Sequence, residues 1–282
     1  MRYALSLVLG IFAISWAAVL ARLALVSGYV AAWWRLLVGS IVLLCYVTVF
    51  KRSLRLDWYT VIAGVALAIH FSLWLESLNY MAIAPASGIV ISYPVVTLPF
   101  EYVVLREKFS RLQMLGVVVT LLGIYVLSQP WSGATSMGVI LAFAATVAGS
   151  IYFQIGRVVG KSSRDTMGYV VSVYLVAFLV TSVICCVLGV NPLATRAESI
   201  VYLVLMGLVP MAIGHTALNY AMRRYPATLV TTAMAFEPYG ATTLGWLILN
   251  EKPSLGAIVG IALTVLGVVL TFRGGRSSRS RK

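Results

Sequence analysis

The chain has 282 residues, of which 61% are hydrophobic and only 10% charged. An ordinary globular domain carries about 25% charged residues, so a water-soluble fold is excluded. The formal net charge of +13 would suit nucleic acid, but the basic residues sit in short connections between apolar stretches, which points to a membrane surface.

An apolar stretch of roughly 20 residues crosses about 30 Å of hydrocarbon as a helix. Ten such spans are predicted, at 3–21, 28–50, 57–79, 84–105, 112–128, 136–156, 167–189, 198–221, 227–249 and 254–272. The first starts just after Arg2 without a small-residue cleavage site before the next charge, so it is expected to be a retained helix and not a signal peptide. Arg35 falls in the outer third of the second span. His70 is near the middle of the third, with Trp74 one turn on and Glu76 nearer the outer end. The fourth carries Tyr93, Pro94 and Glu101, and the sixth Tyr152 and Gln154. His215 and Asn219 share a face of the eighth, and Glu237 precedes Pro238 in the ninth. Cys45, Cys185 and Cys186 all lie inside spans without a CxxC spacing, so they read as small buried hydrophobes with no metal or redox role.

The loops are asymmetric in charge. Seventeen of the 21 basic residues fall on one side: Arg2, the 51–55 and 106–111 loops, Arg157, Lys161, Arg164, Arg223, Arg224 and the tail. Only Arg22, Arg196 and Lys252 fall on the other. By the positive-inside rule both termini are expected in the cytoplasm, in a bacterial or archaeal plasma membrane. The basic tail, 274–282, reads as a topology anchor on anionic lipid and not as a nucleic-acid arm.

An internal repeat is the most informative feature. Pro94 lies 13 residues before Glu107-Lys108, with Gly116, Thr120 and Gly123 following; Pro238 lies 13 before Glu251-Lys252, with Gly260, Thr264 and Gly267 following. Each pair is offset by 144, and Leu78-Asn79-Tyr80 matches Leu218-Asn219-Tyr220 at an offset of 140. The halves, 1–130 and 131–273, hold five spans each. An odd number of crossings makes the second copy enter from the opposite side. The expected fold is therefore all-α and integral to the membrane, ten transmembrane helices as two inverted five-helix repeats, an architecture of alternating-access transporters.

The same residues carry a family resemblance. The paired sequences Pro94…Leu105-Arg106-Glu107-Lys108…Gly116…Gly123 and Pro238…Leu249-Asn250-Glu251-Lys252…Gly260…Gly267 resemble the EamA domains of the drug/metabolite transporter superfamily. Arg35, in Trp33-Trp34-Arg35-Leu36, matches an arginine this family tends to carry on its second helix. Ser15-Trp16 departs from the Trp-Gly common on its first helix, and the fourth span is shorter than its partner. The resemblance implies export of amino acids or other metabolites through a central cavity between two helical bundles.

Ionisable groups within a membrane are costly, so they are candidate sites. His70 beside Trp74 suits a substrate with an amino or aromatic group, or is satisfied by a neighbouring helix. Glu237 suits a substrate amine or a proton, or pairs with Arg35 or a histidine. His215 with Asn219 suits recognition or interhelical hydrogen bonds. Arg35 could snorkel, pair with Glu76 or attract a carboxylate. Glu101 is expected in a gate or edge salt bridge, and Glu107-Lys108 and Glu251-Lys252 in tight turns. Gly116, Gly123, Gly260 and Gly267 allow close packing against a neighbouring helix or a second copy, so a homodimer is an option.

The expected substrate-binding set is Trp16, His70, Trp74, Tyr93, Tyr152, Gln154, His215 and Glu237, with helix kinks at Pro94 and Pro238. No GxSxG, HExxH, GxxxxGK[ST] or GxGxxG occurs, so no enzyme activity, catalytic residue, cofactor or metal is expected, and transport is gradient-driven or passive exchange. The reading is a secondary transporter exporting small metabolites, amino acids including aromatic ones foremost. A proton-coupled exporter of drug-like cations using Glu237 is the alternative, and an intramembrane enzyme a more distant one.

Overall fold

The computed structural model describes residues 1–128, 135–162, 165–252 and 255–279. The expected boundary between halves at 130/131, and the basic residues Arg164, Arg281 and Lys282, lie outside the described residues. Every regular element among the described residues is helical. In chain order they are α1 Arg2–Ile14, α2 Ala17–Ala24, α3 Gly28–Val49, α4 Trp58–Ser77, α5 Ile83–Val90, α6 Pro94–Val103 and α7 Arg111–Ser128. The second half holds α8 Ser136–Lys161, α9 Thr166–Val187, α10 Ala197–Met206, a π-helical segment Gly207–His215, and α11 Thr216–Ala221. It ends with α12 Ala227–Ala233, a 3₁₀ turn Met234–Phe236, α13 Glu237–Leu249 and α14 Leu255–Arg279.

Seven segments among the described residues are long and apolar enough to cross a membrane by length and composition. They are Arg2–Ala24, Gly28–Val49, Trp58–Ser77, Ile83–Val103, Ser136–Lys161, Thr166–Val187 and Ala197–Ala221. Arg111–Val126 and Ala262–Gly274 are shorter apolar helices. Side chains are distributed as hydrocarbon demands. Leu5, Phe12, Leu115, Leu122, Phe143, Leu179 and Leu247 face outward, whereas Arg35, His70, Gln154, His215 and Glu237 are buried. A protein surrounded by water shows the reverse.

Local chemistry sets the helix starts. Ser27, Asp57, Thr135 and Asp165 precede α3, α4, α8 and α9, and each side chain accepts a hydrogen bond from a backbone N–H of the first turn. Those N–H groups have no intrahelical partner, so a short polar side chain there stabilises by about 1 kcal/mol. Both Leu-x-Glu-Lys sequences form the same turn. Arg106 and Asn250 adopt the left-handed conformation, φ 51° and 57°. Glu107 N–H then donates to Glu101 O, and Glu251 N–H to Gly245 O. These bonds close carbonyls that the ending helix leaves open.

Helix interruptions follow proline. The span 84–105 is two helices, broken at Ile91–Tyr93 immediately before Pro94. A 3₁₀ turn ends one residue before Glu237 and Pro238. A further interruption is absent from the sequence reading: the eighth span winds as a π-helix over Gly207–His215, around Pro210. Proline has no N–H to donate and its ring crowds the carbonyl of the preceding turn, so the helix widens there.

Helices α7 and α14 pack antiparallel with their backbones in contact. A Cβ at Gly116 would lie 2.5 Å from Thr271 N, one at Gly123 2.7 Å from Thr264 N, and one at Gly267 2.4 Å from Thr120 N. These small-residue faces are therefore used within one chain. A second copy would have to meet other surfaces, such as the outward row Leu115, Val118, Leu122 and Tyr125.

Candidate functional site

The breaks in the helices bring a polar and aromatic centre together. Arg35 of α3 is wholly buried, its guanidinium 4.1 Å from the Phe71 ring and 5.6 Å from the Trp74 ring. Its Nε, Nη1 and Nη2 make no hydrogen bond among the described residues. Glu237 is also buried, and its Oε1 is unpaired. The two charges act on each other but form no ion pair within 4 Å among the described residues. The Ser87 hydroxyl neighbours the Glu237 carboxylate. Around them, the His215 ring meets Phe71 edge-on at 5.1 Å and stacks on Phe153 at 6.1 Å. Among the described residues Trp74 Nε1, His215 Nδ1 and Asn219 Oδ1 have no partner either. Buried polar atoms are normally hydrogen-bonded. A cluster of unpaired donors and acceptors walled by rings has the chemistry of a binding chamber.

His70 is held on both sides. Its Nδ1 lies 2.9 Å from Ala145 O, and its Nε2 3.3 Å from the Tyr93 hydroxyl. A carbonyl only accepts, so Nδ1 carries the proton and Tyr93 donates to Nε2. Both ring nitrogens are thus occupied, and only the ring face, stacked 6.0 Å from Trp74, remains available. Gly149 makes room for this arrangement, since a Cβ there would lie 2.7 Å from Tyr93 Cε1 and 2.8 Å from His70 Nδ1.

Two matching contacts close the ends of the bundle. At one end Arg157 Nη1 donates to Met222 O at 2.8 Å, and Nη2 pairs with Glu107 at 3.1 Å. Lys161 pairs with the same carboxylate. At the other end Arg22 Nη2 donates to Met81 O at 2.7 Å, and Nε lies 3.9 Å from Glu251. Glu107 and Glu251 are repeat equivalents; Met81 directly follows Leu78-Asn79-Tyr80, and Met222 comes one residue later after Leu218-Asn219-Tyr220, behind Ala221. The first contact is tight and largely buried, with side chains 7% and 19% exposed, and the second is loose, 32% and 36% exposed. A cavity of about 360 Å³ opens beside Arg22, between Leu25, Gly28, Leu75 and Asn79. At the Arg157 end α6 and α12 meet instead through threonines, with Thr228 Oγ1 3.2 Å and Thr231 Oγ1 3.4 Å from Thr97 Oγ1.

Most residues expected from sequence fall in or next to the centre. Tyr152 hydrogen-bonds Asn219, and Tyr93 packs edge-on against Phe153 at 5.2 Å. Gln154 points to the threonine seam, where its Nε2 donates to Thr97 O at 2.8 Å. Trp16, at the break between α1 and α2, is half-buried without a ring contact to the cluster among the described residues. Two expectations need correction. Arg35 neither snorkels nor pairs with Glu76, because Glu76 Oε2 accepts from Gly28 N–H at 2.8 Å and caps α3. Glu101 forms no edge salt bridge. It is buried and accepts from Ala227 N–H at 2.7 Å and Thr228 N–H at 2.9 Å, capping α12 from the other half. Phe71, Phe153 and Tyr174 were not anticipated. Tyr174 is buried and reaches Thr216 at 3.3 Å. The available signal was its mid-span position, away from the interfacial belts where membrane tyrosines concentrate.

Fold and centre together define a multi-pass helical membrane protein with a buried polar and aromatic centre. The family model described as the EamA-like transporter family matches residues 1–129 and 136–273. The chain belongs to the EamA-like transporter family. It is 24% identical to an uncharacterized transporter of Clostridium kluyveri, over 87% of this chain and 84% of that one. Identity is 26% to the uncharacterized transporter YdfC of Bacillus subtilis, over 95% and 89%. A probable terminal-alkyne amino-acid exporter of Streptantibioticus cattleyicolor is 31% identical over 67% of this chain and 63% of its own. One solved crystal structure, 19% identical, superposes with a TM-score of 0.80 over 97% of this chain and 98% of the other, a likeness in fold.

Proposed function

We propose that this transporter is a secondary exporter of small metabolites, foremost amino acids including aromatic ones, working by alternating access between two inverted five-helix halves at 1–130 and 131–273. The observation that carries the reading is the pair of equivalent latches at opposite ends, one tight and one loose. A membrane carrier must close one end while it opens the other, and inverted copies supply the same closing device at both. Contacts between the halves support the same symmetry. Thr120 of α7 meets Gly267 of α14, and their repeat equivalents, Thr264 and Gly123, meet likewise. On this reading ten helices cross the membrane, the interrupted rod at 227–249 and the shorter apolar helices included.

Charge gives the orientation. Arg157, Glu107 and Met222 stand at the end that also holds the Arg52–Asp165 pair, 3.8 Å apart. That end is basic, so it faces the cytoplasm of a plasma membrane with both termini. The inner end is then shut and the outer end partly open. Helices α6 and α12 carry the inner closure, hinged at the breaks before Pro94 and Pro238. His70 acts as a fixed strut joining α4, α8 and Tyr93, while Trp74, Tyr93 and Phe153 form the aromatic wall.

The relative named an amino-acid exporter favours amino acids among metabolites. Drug-like cations are the second reading, favoured by the buried, unpaired Glu237 and opposed by the equally buried positive charge of Arg35. The test is flux of a panel of radiolabelled amino acids in proteoliposomes, with and without an imposed pH gradient. Saturable flux of at least one aromatic or aliphatic member is expected. Folded, reconstituted protein that moves no amino acid but moves a lipophilic cation would overturn the reading.

A further inference from the structure

The central charges carry more than a role in packing. A guanidinium wholly removed from solvent, with all three nitrogens unpaired, is an unusual state. Arginine presents five donors in a planar fork matched to a carboxylate, and it stays charged when buried. Here one face of the fork lies on Phe71 and near Trp74. Ring contacts offset part of the cost of burial but supply no acceptor for the N–H groups. Trp74 Nε1 is a further unpaired donor on the same wall. Glu237 presents the complement, a buried carboxylate with an unpaired oxygen.

The two groups form no ion pair with each other among the described residues. Direct pairing would satisfy both; apart, each lacks the partner its chemistry calls for. A solute that is only an anion would match Arg35 and leave the Glu237 oxygen unmatched, and one that is only a cation would do the reverse. A zwitterion places a complementary group on each.

We infer that Arg35 and Glu237 form a two-point anchor for a zwitterionic substrate, its carboxylate on the Arg35 fork and its ammonium on Glu237, with the side chain against the Phe71–Trp74–Phe153 wall. This rests on the transport reading above and narrows it to solutes carrying both charges. The two anchor groups come from different halves, Arg35 from α3 and Glu237 from α13.

The test holds the side chain fixed and removes one charge at a time. Binding of L-phenylalanine, L-phenylalaninamide and 3-phenylpropionate, and of the matching leucine series, is measured by calorimetry on the purified full-length protein in detergent. The wild type is expected to bind one of the two amino acids at least about tenfold more tightly than either of its single-charge analogues, the scale of one charge-assisted hydrogen-bonded contact. Arg35→Gln should erase the preference over the amide, and Glu237→Gln the preference over the desamino acid, each leaving the other preference in place. A wild type that binds the amide or the desamino acid as tightly as the amino acid overturns the inference. An Arg35→Gln variant that keeps the full preference over the amide does so too. If Arg35→Gln does not fold, Arg35→Lys, which keeps the charge and loses the fork, and the wild-type ratios decide. A wild type that transports only uncharged or singly charged solutes overturns the two-point anchor and leaves secondary transport standing, whereas one that moves no solute overturns the reading beneath it.

Discussion

Replacing Arg157 by methionine is expected to open the inner end. The substitution removes the 2.8 Å bond to Met222 O and the 3.1 Å pair with Glu107, in a site where Arg157 is 6% exposed. Charge-assisted bonds in such surroundings contribute about 1.5–3 kcal/mol each, enough to shift an equilibrium tenfold or more. A cysteine introduced by Thr228→Cys, buried in the threonine seam, reports the change through its rate of maleimide labelling from the cytoplasmic side. That rate should rise about tenfold in Arg157→Met. Arg22→Met should do less at the outer end, because it gives up the 2.7 Å bond to Met81 O but only a carboxylate pair that is 3.9 Å apart, a third exposed and screened by solvent. Equal effects of the two substitutions would contradict the asymmetry.

Acid should act on the same latch. Burial pushes the Glu107 carboxyl up, but the hydrogen bond from Lys161 and the charge of Arg157 outweigh it and hold the group below its ordinary value. A lowered carboxyl contributes fully above the ordinary carboxylate range and loses that contribution as pH falls through its own lowered value. Inner labelling of the Thr228→Cys protein, taken as a ratio to a fully exposed cysteine that carries the same pH dependence of the thiolate, should therefore be flat around neutrality and rise only in strong acid.

Glu101→Ala is expected to produce the largest loss of stability. The carboxylate caps α12 by accepting from Ala227 and Thr228 N–H, and no water reaches it. Removing it orphans two buried donors at a helix start, a cost of about 2–3 kcal/mol. Glu101→Gln retains one acceptor and should lose about half as much. Thermal unfolding in detergent distinguishes this from an edge salt bridge, for which Ala and Gln would cost alike and added salt would mimic both.

The contrast between Glu101 and Glu107 shows how far sequence reading reaches. Seven of the spans were legible because hydrocarbon imposes a length on every helix. Both Leu-x-Glu-Lys turns were legible because their residues act on their own neighbours, as the left-handed Arg106 and Asn250 show. Glu101 was read as an edge ion pair because Arg106 is one turn away in sequence. Its partners lie 126 and 127 positions away, and spacing along one helix carries no information about them. Two of the three options for Arg35, snorkelling and pairing with Glu76, fall away for a similar reason. Position in a span suggested that it could snorkel, whereas helix rotation turns it inward onto Phe71 and Trp74. The same rotation brings Phe71, Phe153 and Tyr174 to the centre, and hydrophobicity alone gives no preference among the rings of a wholly apolar helix. The π-helical segment at Pro210 escaped because proline signals an interruption without specifying how the helix will absorb it.

On the proposed alternating-access reading, α6 and α12 part at the inner end in every cycle. Thr97 and Thr231 face each other there, with hydroxyl oxygens 3.4 Å apart. The most direct measurement is amino-acid flux in proteoliposomes by a Thr97→Cys, Thr231→Cys double variant whose native cysteines, Cys45, Cys185 and Cys186, have been replaced. Flux is predicted to fall to the protein-free level when the new pair is oxidised, with the cross-link verified by mass, and to return on reduction. Undiminished flux through the cross-linked protein would contradict the account.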